Sequence, residues 1–201
     1  MNINEAICSV NEFARRYDDY VRNCQWIGPD ILFGLLYEYI HADQTLLDLG
    51  IGTGLSSALF KKAGLSVYGI DASEEMIKTC RDKGIAEELQ LADLTKNDMW
   101  FENKAFDHVI SHGVFHLIGD IRPIFKQISE ILKTGGCFCF TYESVHDMMD
   151  DYRNSDSGIT VFRHSDEFIF GIMKANGFRI LKNTEFIAFI DKNTNAKRIS
   201  A

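Results

Sequence analysis

Residues 46–54 read Leu46-Leu47-Asp48-Leu49-Gly50-Ile51-Gly52-Thr53-Gly54. A short apolar run that ends in three alternating glycines is a strand delivered into a tight turn. Glycine allows such a turn, and it lets a ligand approach the main chain with no Cβ in the way. From about Leu55 to Ala63 the chain reads as a helix, stopped by Gly64. The start of that helix offers amide donors that favour a negative group. The spacing is G-x-G-x-G. A dinucleotide fingerprint needs a third glycine at position 55, where Leu55 stands, and a P-loop needs Gly-Lys-Ser/Thr, which does not follow. Taken alone, the pattern also fits a tight turn with no ligand.

Downstream of the turn, strands and helices alternate. Strands are expected at 65–70 (LSVYGI), 88–93 (ELQLAD), 106–111 (FDHVIS) and 137–142 (CFCFTY), with a long, half-alternating strand at 178–190. Ser73, followed by Glu74 and Glu75, caps a helix that ends at Gly84; another runs over about 120–133, and Ser165 caps one reaching Asn176. Upstream, Val10, Phe13, Ala14, Tyr17, Tyr20 and Val21 lie at helical spacing over 9–22, and a second helix is expected near 29–41 with Pro29 in its first turn. The expected class is α/β: a Rossmann-like, doubly wound, mostly parallel sheet with helices on both faces and an N-terminal helical lid. It reads as one domain, with lid helices over 1–44, the α/β core over 45–190 and a polar tail over 191–201. Ligands of such sheets bind beyond the carboxyl ends of the strands.

Composition narrows the functions. Apolar residues at 46% and charged residues at 25% place the chain among ordinary globular domains rather than disordered ones. A net charge of -8 argues against broad contact with a phosphate backbone, so no nucleic-acid partner is expected. The longest apolar stretches, such as Ile31 to Leu36, are far short of a membrane span, and no secretory signal is visible at the start. The five cysteines are scattered and form no CxxC pair, which fits reduced thiols and a cytoplasmic location. Cys137 and Cys139 should share one strand face as small core side chains. No metal site is expected. His108, His112 and His116 are spaced by four, but His108 falls inside a strand, so the three share no helical face.

Two carboxylates complete the pattern. Asp71 ends the second strand, where a carboxylate can accept hydrogen bonds from both hydroxyls of a ribose. Asp93 ends the third, where it can accept the exocyclic amine of adenine while Ala92 and Leu94 flank the ring. Singly, Asp71 also reads as the start of the next helix and Asp93 as a solvated loop residue. In this order, the three elements resemble the class I S-adenosylmethionine-dependent methyltransferases over roughly residues 45–190. LLDLGIGTG is similar to the family's first motif, VYGIDAS to its ribose motif and LQLADL to its adenine motif. FDHVISHGVFHLI resembles the segment lining the methionine end and the acceptor, and LKTGGCFCFTYE the turn into strand five. YDDYV (17–21), with FRHS and ANGF near 162–178, resembles the small-molecule branch, including ubiquinone-biosynthesis-like and Williams–Beuren-region methyltransferase-like enzymes.

The resemblance implies S-adenosyl-L-methionine as cofactor and roles for named residues. Asp48 and the turn through Gly50, Ile51, Gly52 and Gly54 would hold the methionine amine and carboxylate. Asp71 with Ala72 would hold the ribose, Met76 would cover the adenine, and Ala92, Asp93 and Leu94 would read it. Ser111 and His112 would sit near the sulfonium, and the N-terminal helix would close over the site with Tyr17 at the carboxylate end. The family's last strand forms a hairpin beside strand five; here the tail after Ile190 is polar and short for it, so the sheet is expected to end early or the chain to be cut short.

Methyl transfer from an activated donor needs mainly orientation. A base is required only when the acceptor must lose a proton, and His112 and His116, just past strand four, are the candidates. An aromatic face near the methyl favours the cation; Tyr17, Tyr20 and Trp26 are candidates, although core packing explains each as well. Tyr142, Glu143 and His146 are acceptor-side candidates of second rank. SHGVF stands where amino-methylating nucleic-acid enzymes carry Asn/Asp-Pro-Pro-Tyr/Phe, and neither a Pro-Cys nucleophile nor a tandem-Glu loop is present. The expected partner is therefore a small-molecule methyl acceptor, the expected assembly a monomer or homodimer. Competing readings are a non-catalytic nucleoside-binding module, a nicotinamide-dependent dehydrogenase, and transfer of another group from the same cofactor.

Overall fold

Five strands form one parallel sheet: β1 (Thr45–Leu49), β2 (Ser66–Asp71), β3 (Glu88–Leu91), β4 (Phe106–Ser111) and β5 (Leu132–Phe140), in the order β3-β2-β1-β4-β5. The computed structural model describes residues 3–96, 100–144, 152–154, 160–190 and 197–200. The order reverses between β1 and β4, so the crevice for a ligand opens past the carboxyl ends of those neighbours. Among the described residues, six helices accompany the sheet: α1 (Ile3–Asn23), α2 (Gly28–Leu36), α3 (Ser57–Lys62), α4 (Glu74–Asp82), α5 (Arg122–Ile131) and α6 (Asp166–Ala175).

The period of two along β1 divides the core. Leu46 enters a cluster with Leu32 and Leu36 of α2, Phe60 of α3 and Ile77 of α4. Leu47 and Leu49 enter the cluster on the other face, with Phe125 and Ile128 of α5 and Ile169 of α6. Both faces are covered, which is why β1 and β4 are buried almost throughout. Cys137 and Cys139 pack on the α2 side together, and the thiols of Cys24, Cys80, Cys137 and Cys139 are free. Between β3 and β4 no helix occurs among the described residues. Trp100 and Phe101 cover the sheet there, with Phe101 edge-on to Tyr68 at 5.6 Å and Phe106 at 5.8 Å.

Several boundaries differ from the sequence reading. α1 starts earlier, at Ile3, and α2 stops at Leu36 rather than near 41. The helix expected from Leu55 is only Ser57–Lys62, because the glycine turn extends to residue 56. β5 begins at Leu132 and includes Gly135 and Gly136. Of the strand expected over 178–190, only β8 (Phe186–Ile190) forms. Residues 178–185 form no ladder with another strand among the described residues, and Ile180 and Leu181 are exposed. The tail is not simply polar coil: β9 (Lys197–Ser200) pairs antiparallel with β8 in a separate two-stranded sheet. A second small pair, β6 (Tyr152–Asn154) with β7 (Thr160–Phe162), was not legible in the sequence.

Candidate functional site

Gly50, Gly52 and Gly54 all take left-handed conformations, with φ of 75°, 55° and 85°. The turn is held from beneath. The amides of Gly50 and Ile51 donate to the Ile70 carbonyl at 2.8 and 2.9 Å, and that of Gly54 to Ile51 at 2.9 Å. Ile51 points into the core against Gly69, so only its main chain faces the crevice. These amides are therefore occupied within the fold. What the turn offers a ligand is its shape: nothing lies within 4 Å of where a Gly52 Cβ would stand.

Asp71 ties this turn to α4. Its Oδ2 accepts the Gly52 amide and its Oδ1 the Ser73 amide, both at 2.8 Å. Burial raises its pKa, and these amides oppose the rise. Ser73 caps α4 by accepting the Met76 amide at 3.1 Å, which fixes the buried Met76 beside the turn. Deeper still, Asp48 is 2% exposed and accepts the Ser57 hydroxyl at 2.7 Å. Burial pushes its pKa up to about 7 despite that bond. The folded state thus binds the Asp48 proton more tightly than the unfolded chain does. Stability should fall as pH rises from about 4 to 7, by at most roughly 1.4 kcal/mol per unit, and level off above. Asp48→Asn, which keeps an acceptor for Ser57, should remove that slope in denaturation curves taken across this range.

Asp93 is buried just past β3. Its Oδ1 accepts the Thr95 amide at 2.9 Å and hydroxyl at 2.7 Å. Its Oδ2 is buried with no hydrogen bond, and the Lys96 ammonium stands 3.6 Å away, an ion pair too long to satisfy it. A buried acceptor without a donor is unusual enough to need a reason. Ala92 and Leu94 flank it, both buried.

The lid side is closed. Helix α1 lies across the turn: Thr53 donates its hydroxyl to Asp18 at 2.6 Å, Lys83 pairs with Asp18, and Ser73 donates to Asn11 at 2.5 Å. Sequence reading missed Asp18 and Lys83, since nothing local marks one surface charge as a bridge. Tyr17 meets Trp26 edge-on at 6.4 Å; burial, then Asp71, raises its phenol pKa, so it stays protonated. Tyr20 is 42% exposed and edge-on to Phe13.

On the β4 side, the Ser111 hydroxyl donates to the Leu49 carbonyl at 3.0 Å, which joins β4 to β1 and leaves that proton unavailable to a ligand. His112 is 8% exposed, with Nδ1 3.0 Å from the Ser56 hydroxyl and its ring stacked on Trp26. Burial, helped by His116, pushes its pKa down to about 3. That is too low for an effective base near neutrality. His116 is half-buried on the 3₁₀ turn Phe115–Leu117. That turn is held by His164, whose Nε2 lies 3.1 Å from both the Phe115 and Ile118 carbonyls and so carries the proton. Tyr142, the acceptor-side candidate, is packed into the core with its hydroxyl donating to Asp166 at 2.8 Å. Glu143 is buried beside it, 3.9 Å from Arg163. His146 lies outside the described residues. His108 bonds Gln44 at 2.9 Å near the start of β4, away from the other two histidines, and no cluster of three metal-ligating side chains occurs among the described residues.

Glycine turn, Asp71 and Asp93 thus follow three neighbouring strands. A family model described as a methyltransferase domain matches residues 47–140, the span from β1 to β5 that bears all three. Residues 47–140 thus match a methyltransferase domain, of the class I S-adenosylmethionine-dependent kind. The domain is 29% identical over 97 residues to a demethylmenaquinone methyltransferase of Tropheryma whipplei, covering 48% of this chain and 41% of that protein. It is 32% identical over 92 residues to a ubiquinone biosynthesis O-methyltransferase of Pelagibacter ubique, covering 45% and 38%. The chain therefore spans only about half or less of the length of such relatives. In fold, the domain is similar to an S-adenosylmethionine-dependent methyltransferase from Clostridium acetobutylicum, with a TM-score of 0.68 at 21% identity, covering 94% of this chain and 96% of that one.

Proposed function

We propose that this chain transfers a methyl group from S-adenosyl-L-methionine to a small-molecule acceptor by in-line displacement. The observation that carries the reading is the buried Oδ2 of Asp93, which accepts no hydrogen bond, one strand over from Asp71. An acceptor there matches an exocyclic amine; a carboxylate at Asp71 matches a ribose diol. A dinucleotide would give Asp93 no such role and would need a glycine in place of Leu55.

When bound, the cofactor supplies a methyl on a sulfonium, already activated for transfer. The chain's residues hold and orient. Asp71 and Ala72 take the ribose; Met76, Ala92 and Leu94 enclose the adenine that Asp93 reads. The turn from Gly50 to Gly54, above Asp48, takes the amino-acid end. Helix α1, with Tyr17, excludes water, which favours loss of charge at the sulfonium. His116 takes the acceptor proton where one must leave. No helix among the described residues is long and apolar enough to cross a membrane. A soluble, cytoplasmic monomer or homodimer acting without nucleic acid fits this and the charge of -8.

Incubation with methyl-labelled S-adenosylmethionine and a small-molecule extract tests the substrate class. Label is expected in an extractable small molecule. Label confined to protein or nucleic acid would contradict the small-molecule reading.

A further inference from the structure

We infer that His112 is a positioning residue: its ring seats the Trp26–Gly28 connector and thereby closes α1 over the glycine turn. The rings of Trp26 and His112 stack with centroids 4.4 Å apart and planes 12° from parallel. Ser56 fixes the orientation of the imidazole from the opposite element, through the 3.0 Å contact at Nδ1. Gly28 completes the seat. A Cβ there would overlap Cε1 and Nε2 of His112 and stand 3.0 Å from the Trp26 indole nitrogen. Position 28 is thus glycine because two rings occupy the space of a side chain. The connector reaches this seat by a sharp reversal: Gln25 is left-handed, with φ of 53°, and Trp26 donates its amide back to Val21 at 3.3 Å.

The stack acts together with other fastenings of α1. Asn11 is held at Ser73, Asp18 at Thr53 and Lys83, and Trp26 at His112. Thr53, Ser73 and His112 follow β1, β2 and β4, so the helix spans the crevice from side to side. A ring buried this way, both its face and its Nδ1 engaged, is built to hold the lid rather than to reach an acceptor. The consequence for ligand binding rests on the cofactor reading above; the fastening itself does not.

Trypsin cleavage at Arg22, in the last turn of α1, reads lid opening without any ligand. Its side chain is 75% exposed, yet its backbone is helical when the lid is docked. Trp26→Ala, His112→Ala and Gly28→Ala should each raise the cleavage rate about tenfold, because cleavage tracks the open population. His112→Phe, which restores a ring for the stack, should return the rate to within about threefold of the parent. Thermal midpoints are measured alongside, and Trp26→Ala carries the test if His112→Ala unfolds. Parent-like rates in Trp26→Ala, or His112→Phe cut as fast as His112→Ala, would overturn the inference. S-adenosylhomocysteine should slow cleavage of the parent. If it does not, while the variants behave as stated, the cofactor reading fails and the fastening stands.

Discussion

Asp71→Ala is expected to weaken binding of S-adenosylhomocysteine by two to four orders of magnitude. Two charge-assisted hydrogen bonds to a ribose diol are lost, each worth roughly 1.5–3 kcal/mol. Stability should change much less. The Gly52 and Ser73 amides lose their acceptor, but a carboxylate whose burial disfavours its charge is also removed. Asp71→Asn should fall between, since it keeps one oxygen acceptor. Calorimetric titration gives the affinity and a thermal melt the stability. An unchanged affinity in Asp71→Ala would remove the ribose role.

Gly50→Ala is expected to cost about 2–5 kcal/mol of folding stability, two effects adding. A left-handed φ of 75° costs a residue with a Cβ roughly 1–2 kcal/mol. The new Cβ would also overlap Val114 Cγ2 and lie 3.3 Å from its Cβ and Cγ1, and overpacking of this kind costs about 1–3 kcal/mol. Gly52→Ala separates the two effects, because that site has φ of 55° and open space around it; it should cost only about 1–2 kcal/mol. Adding Val114→Ala to Gly50→Ala should recover the steric part and leave the backbone part, so the pair is non-additive. Denaturant midpoints of the parent, Gly50→Ala, Gly52→Ala, Val114→Ala and the double variant measure these effects. A loss below about 0.5 kcal/mol in Gly50→Ala would show that the turn tolerates a Cβ and is not held as described.

What the sequence discloses, and what it hides, follows the range of the interactions. β1 with its glycine turn is legible because it is a local signal: a largely apolar run of strand length, ended by residues that force a turn. The Ser73 and Ser165 caps are local too, and both side chains accept the expected amide. The strand read over 178–190 is wrong in its first half for the opposite reason. A strand needs a neighbour, and no pattern within the run says whether one is there. The same limit hid β6 and β7, which exist through each other. At the site, Asp71 and Asp93 could be singled out because a strand's end fixes where its last residue stands. The fastening of α1 could not. The bridge from Asp18 to Thr53 and Lys83, and the stack of Trp26 on His112, join residues far apart in sequence. In hindsight Gly28 beside Pro29 was a clue, a glycine in the first turn of a helix where no conformational need calls for one.

The central claim is that the crevice past β1, β2 and β3 is built for the adenosyl group of S-adenosylmethionine. Calorimetric titration of the purified chain with S-adenosylhomocysteine, with NADH as the control, tests it most directly. Binding of S-adenosylhomocysteine alone at micromolar affinity, about -8 kcal/mol, is the result expected. Binding of NADH alone, or of neither, would contradict it.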